Sequence, residues 1–183
     1  ITVGSIHNIT LNNLSIYNIK NIKVIGLNEN DNSVIKKKLN DLKLGNILFI
    51  NKKKINKIID SNTNIEDFKV FKKYPSTLDV KIKKTKFLAK INRNNKIYFV
   101  GSNGRLSNGT HEIKQLPFIF GKPDIKEFLK LKKKIDKSKY SYEEIKNLFY
   151  YPSKRWDLEL KNGIRIKLSN LNLVNSLNQS FEF

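Results

Sequence analysis

Arg155-Trp156-Asp157-Leu158-Glu159-Leu160-Lys161-Asn162-Gly163-Ile164-Arg165-Ile166-Lys167-Leu168 is the stretch whose reading decides the fold. Apolar residues alternate with charged ones on both sides of Asn162-Gly163, the pattern of two strands joined by a tight turn. Asn-Gly usually marks a two-residue type I′ loop. Here that loop would set Glu159 against Ile166 and Asp157 against Leu168, mixing charge into the apolar face. A three-residue loop over Lys161, Asn162 and Gly163 instead pairs Leu160 with Ile164, Leu158 with Ile166 and Trp156 with Leu168. The other face then pairs Glu159 with Arg165 and Asp157 with Lys167. Cross-strand pairs contribute about 0.2–1 kcal/mol each, and a slip of one residue loses the whole set. The pattern therefore predicts a type I turn ending on Gly163 in the left-handed region, forming a bulge. Trp156 falls on the core face.

Upstream, residues 1–18 have no clear period and read as a lead-in. Ile19 to Ile25 fits a strand. Asp31 or Asn32 can cap a helix running to about Leu42, with Val34, Ile35, Leu39 and Leu42 on one face and Gly45 after its exit. Asn51 can cap a second helix with Ile55, Ile58 and Ile59 inward. Phe68, Val70 and Tyr74 share parity, as do Leu78, Val80 and Ile82, giving a hairpin turned at Pro75. Lys69, Lys73, Asp79, Lys81 and Lys83 fall on its solvent face. Residues 19–85 thus read as a strand-helix-helix-strand-strand unit of the α+β class.

The chain then changes character. Phe87 to Arg93 and Lys96 to Val100 look like strands around Asn94-Asn95, followed by a turn at Gly101 to Gly104. Leu116 to Gly121 is a short apolar run. Pro123-Asp124 opens a helix with Ile125, Phe128, Leu129 and Ile135 inward. Ser141-Tyr142-Glu143-Glu144 resembles a helix capping box, yet Ile145 to Tyr151 has the aromatic content of a strand; the strand is the favoured reading. Leu171 to Leu177 can start a last helix. The second part, residues 86–183, is mainly antiparallel β with flanking helices.

Composition narrows the chemistry. The 183 residues carry 36 Lys+Arg against 16 Asp+Glu, a net charge of +20, with no cysteine and two histidines. Such a charge invites nucleic acid or anionic membrane, but the lysines are spread over every segment, and an A/T-biased genome yields the same Lys, Asn and Ile content. Disulfides and thiolate metal sites are excluded. His7 and His111 have no ligand partners at metal spacing, so no metal is expected. Gly101-Ser102-Asn103-Gly104 matches a GxxG loop, but it lies between strand-like runs rather than between helices. Adjacent acids such as Glu143-Glu144 point to opposite faces of a strand and make poor acid–base pairs. Phe149, Tyr150 and Tyr151 suit packing better than base stacking. Nothing in the pattern points to an enzyme, a cofactor or a small-molecule substrate.

Taken in order, the landmarks resemble the FtsQ/DivIB family of bacterial cell-division proteins. Val24-Ile25-Gly26, Asn46 to Phe49 and Tyr74-Pro75-Ser76-Thr77-Leu78 resemble the family's POTRA domain, here over 19–85. Val100 to Arg105, Leu116 to Gly121 and the Arg155-Trp156-Asp157-Leu158 to Asn162-Gly163 hairpin resemble its β domain, here over 86–183 and expected to be C-terminally incomplete. Lys83-Lys84-Thr85-Lys86 departs from the Glu-Arg-x-Pro often found between the two. The resemblance implies a non-enzymatic scaffold of the divisome, acting in septation. It implies an inner-membrane anchor through a single helix upstream, with this portion in the periplasm. The partners it implies are FtsB and FtsL through the β domain and other division proteins through the POTRA unit. It also implies later strands that share in partner binding. Arg155, Arg165 and Lys167 are then candidate partner-binding residues. Tyr74, Pro75, Leu78, Trp156, Asn162 and Gly163 are structural candidates. The positive charge would add affinity for anionic lipid headgroups. Two other readings use the same residues: a POTRA-bearing outer-membrane assembly or secretion factor, and a basic nucleic-acid binder, whose affinity would fall steeply with salt.

Overall fold

Leu78, Val80 and Ile82 alternate with charged residues, and their stretch becomes the central strand of the first of two compact units. The computed structural model describes residues 15–108, 115–168 and 177–178. It divides into Ile1–Lys84 and Thr85–Phe183. Among the described residues are three α-helices, a three-stranded sheet and a seven-stranded sheet, an α+β fold.

In the first unit, β1 (Asn21–Ile25), α1 (Glu29–Asp41), α2 (Lys52–Asp60), β2 (Ile65–Lys73) and β3 (Thr77–Lys84) follow in order. β3 lies between β1, parallel to it, and β2, antiparallel. Phe68 pairs with Ile82 and Val70 with Val80, so the hairpin has the register its alternation demands. Both helices cover one sheet face: Ile35, Leu39, Ile55 and Ile59 pack on Ile22, Val24, Leu78, Val80 and Ile82. Each such side chain contributes about 1.5–3 kcal/mol on burial. Gly26 has a φ of +119°, and a Cβ there would lie 1.8 Å from the Ile82 carbonyl oxygen, so both the conformation and the contact require glycine.

Four local expectations need correction. Asn28 caps α1, its side chain accepting from the Asp31 N–H, because Asn32 bonds back to both polar groups of Leu27. Val34 is exposed, since Ile35 and Leu39 already fill the stripe that meets the sheet. Tyr74 is also exposed: β2 ends at Lys73, so Tyr74 belongs to the turn, before a cis bond to Pro75. Asp79 sits on the lysine face as expected but is buried, flanked across the strands by Lys23 and Phe71 and held 2.6 Å from Lys73 Nζ. Asn51 does cap α2.

The second unit holds β4 (Phe87–Arg93), β5 (Lys96–Gly101), β6 (Leu106–Ser107), β7 (Phe118–Phe120), α3 (Ile125–Ile135), β8 (Ile145–Tyr150), β9 (Trp156–Leu160) and β10 (Arg165–Lys167). The spatial order is β10-β9-β8-β7-β4-β5-β6. β7 is parallel to both its neighbours, and the other pairings are antiparallel. Phe128, Leu131 and Ile135 of α3 join Ile91, Ile119, Leu148, Leu158 and Ile166 in one core. Asn94 and Asn95 both have positive φ, 52° and 59°, making the two-residue loop between β4 and β5. At Ser141 both signals are satisfied. Its hydroxyl accepts from the Glu143 N–H and caps a short 3₁₀ turn, Tyr142–Glu144, after which the chain extends at once into β8. Buried Leu177 joins the core; the rest of the expected last helix, His7, His111 and residues 1–14 of the lead-in lie outside the described residues.

Candidate partner-binding edge

The hairpin of β9 and β10 ends the seven-stranded sheet on one side. Its register is the one the charge pattern demands: Glu159 faces Arg165, Leu158 faces Ile166 and Asp157 faces Lys167. Gly163 has a φ of +89°, Asn162 Oδ1 accepts from the Ile164 N–H at 3.1 Å, and the Gly163 N–H donates to Leu160 at 3.0 Å. The Leu160 N–H donates to the Ile164 carbonyl, and the Leu168 N–H to the Trp156 carbonyl. These two bonds fix the phase of the antiparallel ladder. The backbone groups of 164, 166 and 168 face β9, and those of Arg165 and Lys167 point away from the sheet. Among the described residues, no strand pairs with that outer side. Within the described residues it is an open edge two residues long, flanked by charged side chains.

The sheet face opposite α3 carries the charged groups. Asp157 is only 1% exposed, although alternation places it on the solvent side. Its neighbours cover it. Arg155 Nε donates to its Oδ1 at 3.0 Å, and Arg165 Nε lies 3.8 Å from its Oδ2. The Arg165 guanidinium stacks 4.0 Å over the Phe149 ring and donates to the Tyr151 hydroxyl at 2.8 Å. Arg155 lies over the Tyr151 ring at 4.8 Å. Phe120 extends the row, stacked on Phe149 with ring centres 4.9 Å apart. Glu159 accepts from Asn147 Nδ2 at 3.0 Å and has Lys146 Nζ at 3.7 Å. The Asn147 bond, with help from Lys146 and Arg165, holds the Glu159 carboxyl below its usual range against a smaller opposing effect of burial.

The structure thus gathers Arg155, Arg165 and Lys167 on one face, but with different roles. Both arginines are committed to Asp157 and to aromatic rings. Arg155 is half-buried rather than a free cation at a strand start. Lys167 is exposed. Trp156 and Leu78 lie in their respective cores, and Trp156 packs on Tyr150. Sequence reasoning missed Phe120, Phe149 and Tyr151 as the floor beneath the arginines. The shared parity of Phe149 and Asp157 on paired strands was the available signal. On the α3 side, the Tyr150 hydroxyl donates to Glu127 at 2.7 Å, which raises the pKa of the phenol. Among the described residues, no group of three or more acids and histidines could hold a metal, and no helix is long and apolar enough to cross a membrane.

The chain matches the family model "POTRA domain, FtsQ-type" over residues 17–84 and the model "Cell division protein FtsQ/DivIB, C-terminal" over residues 89–181. It is similar to the cell division protein FtsQ of Rickettsia bellii (strain RML369-C), 25% identical over 162 residues. That match covers 88% of this chain and 61% of the relative, so the chain spans less than two thirds of the curated relative's length. Among solved structures it is similar to the major extracytoplasmic domain of the trans isomer of the cell division protein DivIB from Geobacillus stearothermophilus, with a TM-score of 0.38 and 13% identity over 51% of this chain and 85% of that one. The two family models together span nearly the whole chain, and the C-terminal model alone spans half of it: the chain belongs to the FtsQ/DivIB family of cell-division proteins.

Proposed function

We propose that the chain is a non-enzymatic scaffold of the division machinery, joining FtsB and FtsL through the open edge of β10. One observation carries this reading: the outward backbone groups of Arg165 and Lys167 stand beside a preorganised cationic face. An extended partner segment gains main-chain hydrogen bonds at such an edge and specificity from the flanking side chains. Arg155, Arg165 and Lys167 favour a partner with acidic residues on the same face. The family supports placing this portion in the periplasm, behind a single helix in the inner membrane, with the POTRA unit meeting other division proteins.

Lys167→Pro tests the edge with little harm to the fold. The Lys167 N–H points away from β9, so proline removes only the outward donor, and edge strands tolerate it there. The expected outcome is retained thermal stability with loss of capture by the FtsB–FtsL homologue pair. Capture equal to wild type removes the β10 edge from the interface. Arg155→Glu is a poorer probe, because the new carboxylate would be set against buried Asp157.

A further inference from the structure

At one end of the first unit, three separate turns are tied together by backbone bonds. The Ile19 N–H donates to Gly45 at 2.9 Å, the Lys20 N–H to Ser76 at 2.9 Å, and Asn18 bridges to Asn46. Lys72 Nζ donates to the Leu48 carbonyl at 3.0 Å, tying the end of β2 to the 3₁₀ turn Ile47–Phe49. These turns carry four exposed apolar side chains: Ile16 at 52%, Leu48 at 37%, Phe49 at 78% and Tyr74 at 59%. Residues 15–20, 44–49 and 72–77 contain no acidic residue. Lys20, Lys72 and Lys73 lie within them, and Lys52 and Lys53 follow Phe49 closely on α2. Lys73 is taken by Asp79. Among the described residues, no carboxylate pairs with Lys20, Lys52, Lys53 or Lys72.

From this arrangement we infer that the tip is a membrane-contact surface, seating on a bilayer that contains anionic phospholipid. The four apolar side chains come from three turns rather than one strand or one helix stripe. They therefore lack the repeat that a peptide strand or helix needs for docking. A lipid interface needs no such register: single aromatic and aliphatic side chains enter it while nearby lysines meet the headgroups. This goes beyond the scaffold role and involves a different unit from the β10 edge, so either idea can fail alone.

The test is flotation of the whole chain with vesicles of phosphatidylglycerol in phosphatidylcholine, and with phosphatidylcholine alone. The wild type floats with the anionic vesicles, less as salt screens the charges, and little with neutral ones. Phe49→Ser/Tyr74→Ser, at two exposed positions, lowers partitioning roughly tenfold or more, as loss of two inserted rings requires. Ile97→Ser, at an exposed apolar position in the other unit, floats like the wild type. Equal flotation of the double variant overturns the inference, as does an equal loss in Ile97→Ser. A wild type that ignores anionic vesicles overturns it too, and leaves the tip as a protein contact.

Discussion

Replacing both Arg155 and Arg165 by methionine strips two cations from a carboxylate that is 1% exposed. Methionine keeps most of the apolar stem over Phe149 and Tyr151, so the change is mainly one of charge. A buried charge left without its partner costs about 3–5 kcal/mol. Each single replacement leaves Asp157 one guanidinium and costs about 1–2 kcal/mol, within the range of a single charged hydrogen bond. The double variant should therefore lose more than the sum of the singles, with a coupling of about 1 kcal/mol or more. Asp157→Asn tests the asymmetry. The arginine side chains are 42% and 44% exposed and rehydrate when released, so the loss is about 1–2 kcal/mol, smaller than for the double arginine variant. Urea unfolding followed by Trp156 fluorescence is the assay. Trp156, the sole tryptophan, is buried in the second unit beside Asp157, so its signal reports that unit. Midpoints are compared at constant m-value. Additive arginine variants, or Asp157→Asn as the most destabilising of the set, would refute the placement of a buried carboxylate under two half-exposed cations.

Asn147→Ala removes the main cause of the lowered Glu159 pKa, and an NMR titration of that carboxyl should show it rise toward the ordinary range. Because the folded pKa is depressed, Glu159 contributes stability above its unfolded pKa, and the contribution is lost as pH falls through the folded pKa; the variant should lose less on acidification than the wild type. Gly26→Ala should be the harsher of two glycine changes. It forces a Cβ against the Ile82 carbonyl on top of a φ of +119°, whereas Gly163→Ala has nothing within 4 Å and meets only about 1–2 kcal/mol of backbone strain, a contrast that thermal unfolding will show.

The hairpin register was legible in the sequence because one face is apolar and the other charged, so only one loop length kept them apart. Asn51 was legible as a cap for a similar reason: a short polar side chain precedes a structured run. Depth was harder to read. Asp79 and Asp157 both obey their strand's alternation and point away from the helices, yet both are buried, because neighbouring side chains, most of them on adjacent strands, close over them. Lys73 and Phe71 do this for Asp79, and Arg155, Arg165 and Phe149 for Asp157. Alternation fixes the face of a residue, while its burial depends on which strands become neighbours, and β8 meets β9 only in the folded sheet. The same limit applies to Val34 and Tyr74, whose periodicity was right locally but ran past the contact or the strand that would have buried them. The candidate edge was half visible: Arg155, Arg165 and Lys167 could be named from the hairpin, but their division into two committed arginines and one exposed lysine required the aromatic floor.

The most direct test of the proposed edge is amide hydrogen exchange in β10, with and without the FtsB–FtsL homologue pair. Strand addition predicts new protection at the outward amides of Arg165 and Lys167, and little change at Ile166, which already faces β9. Binding of the pair with Arg165 and Lys167 still exchanging as in the free chain would contradict the account.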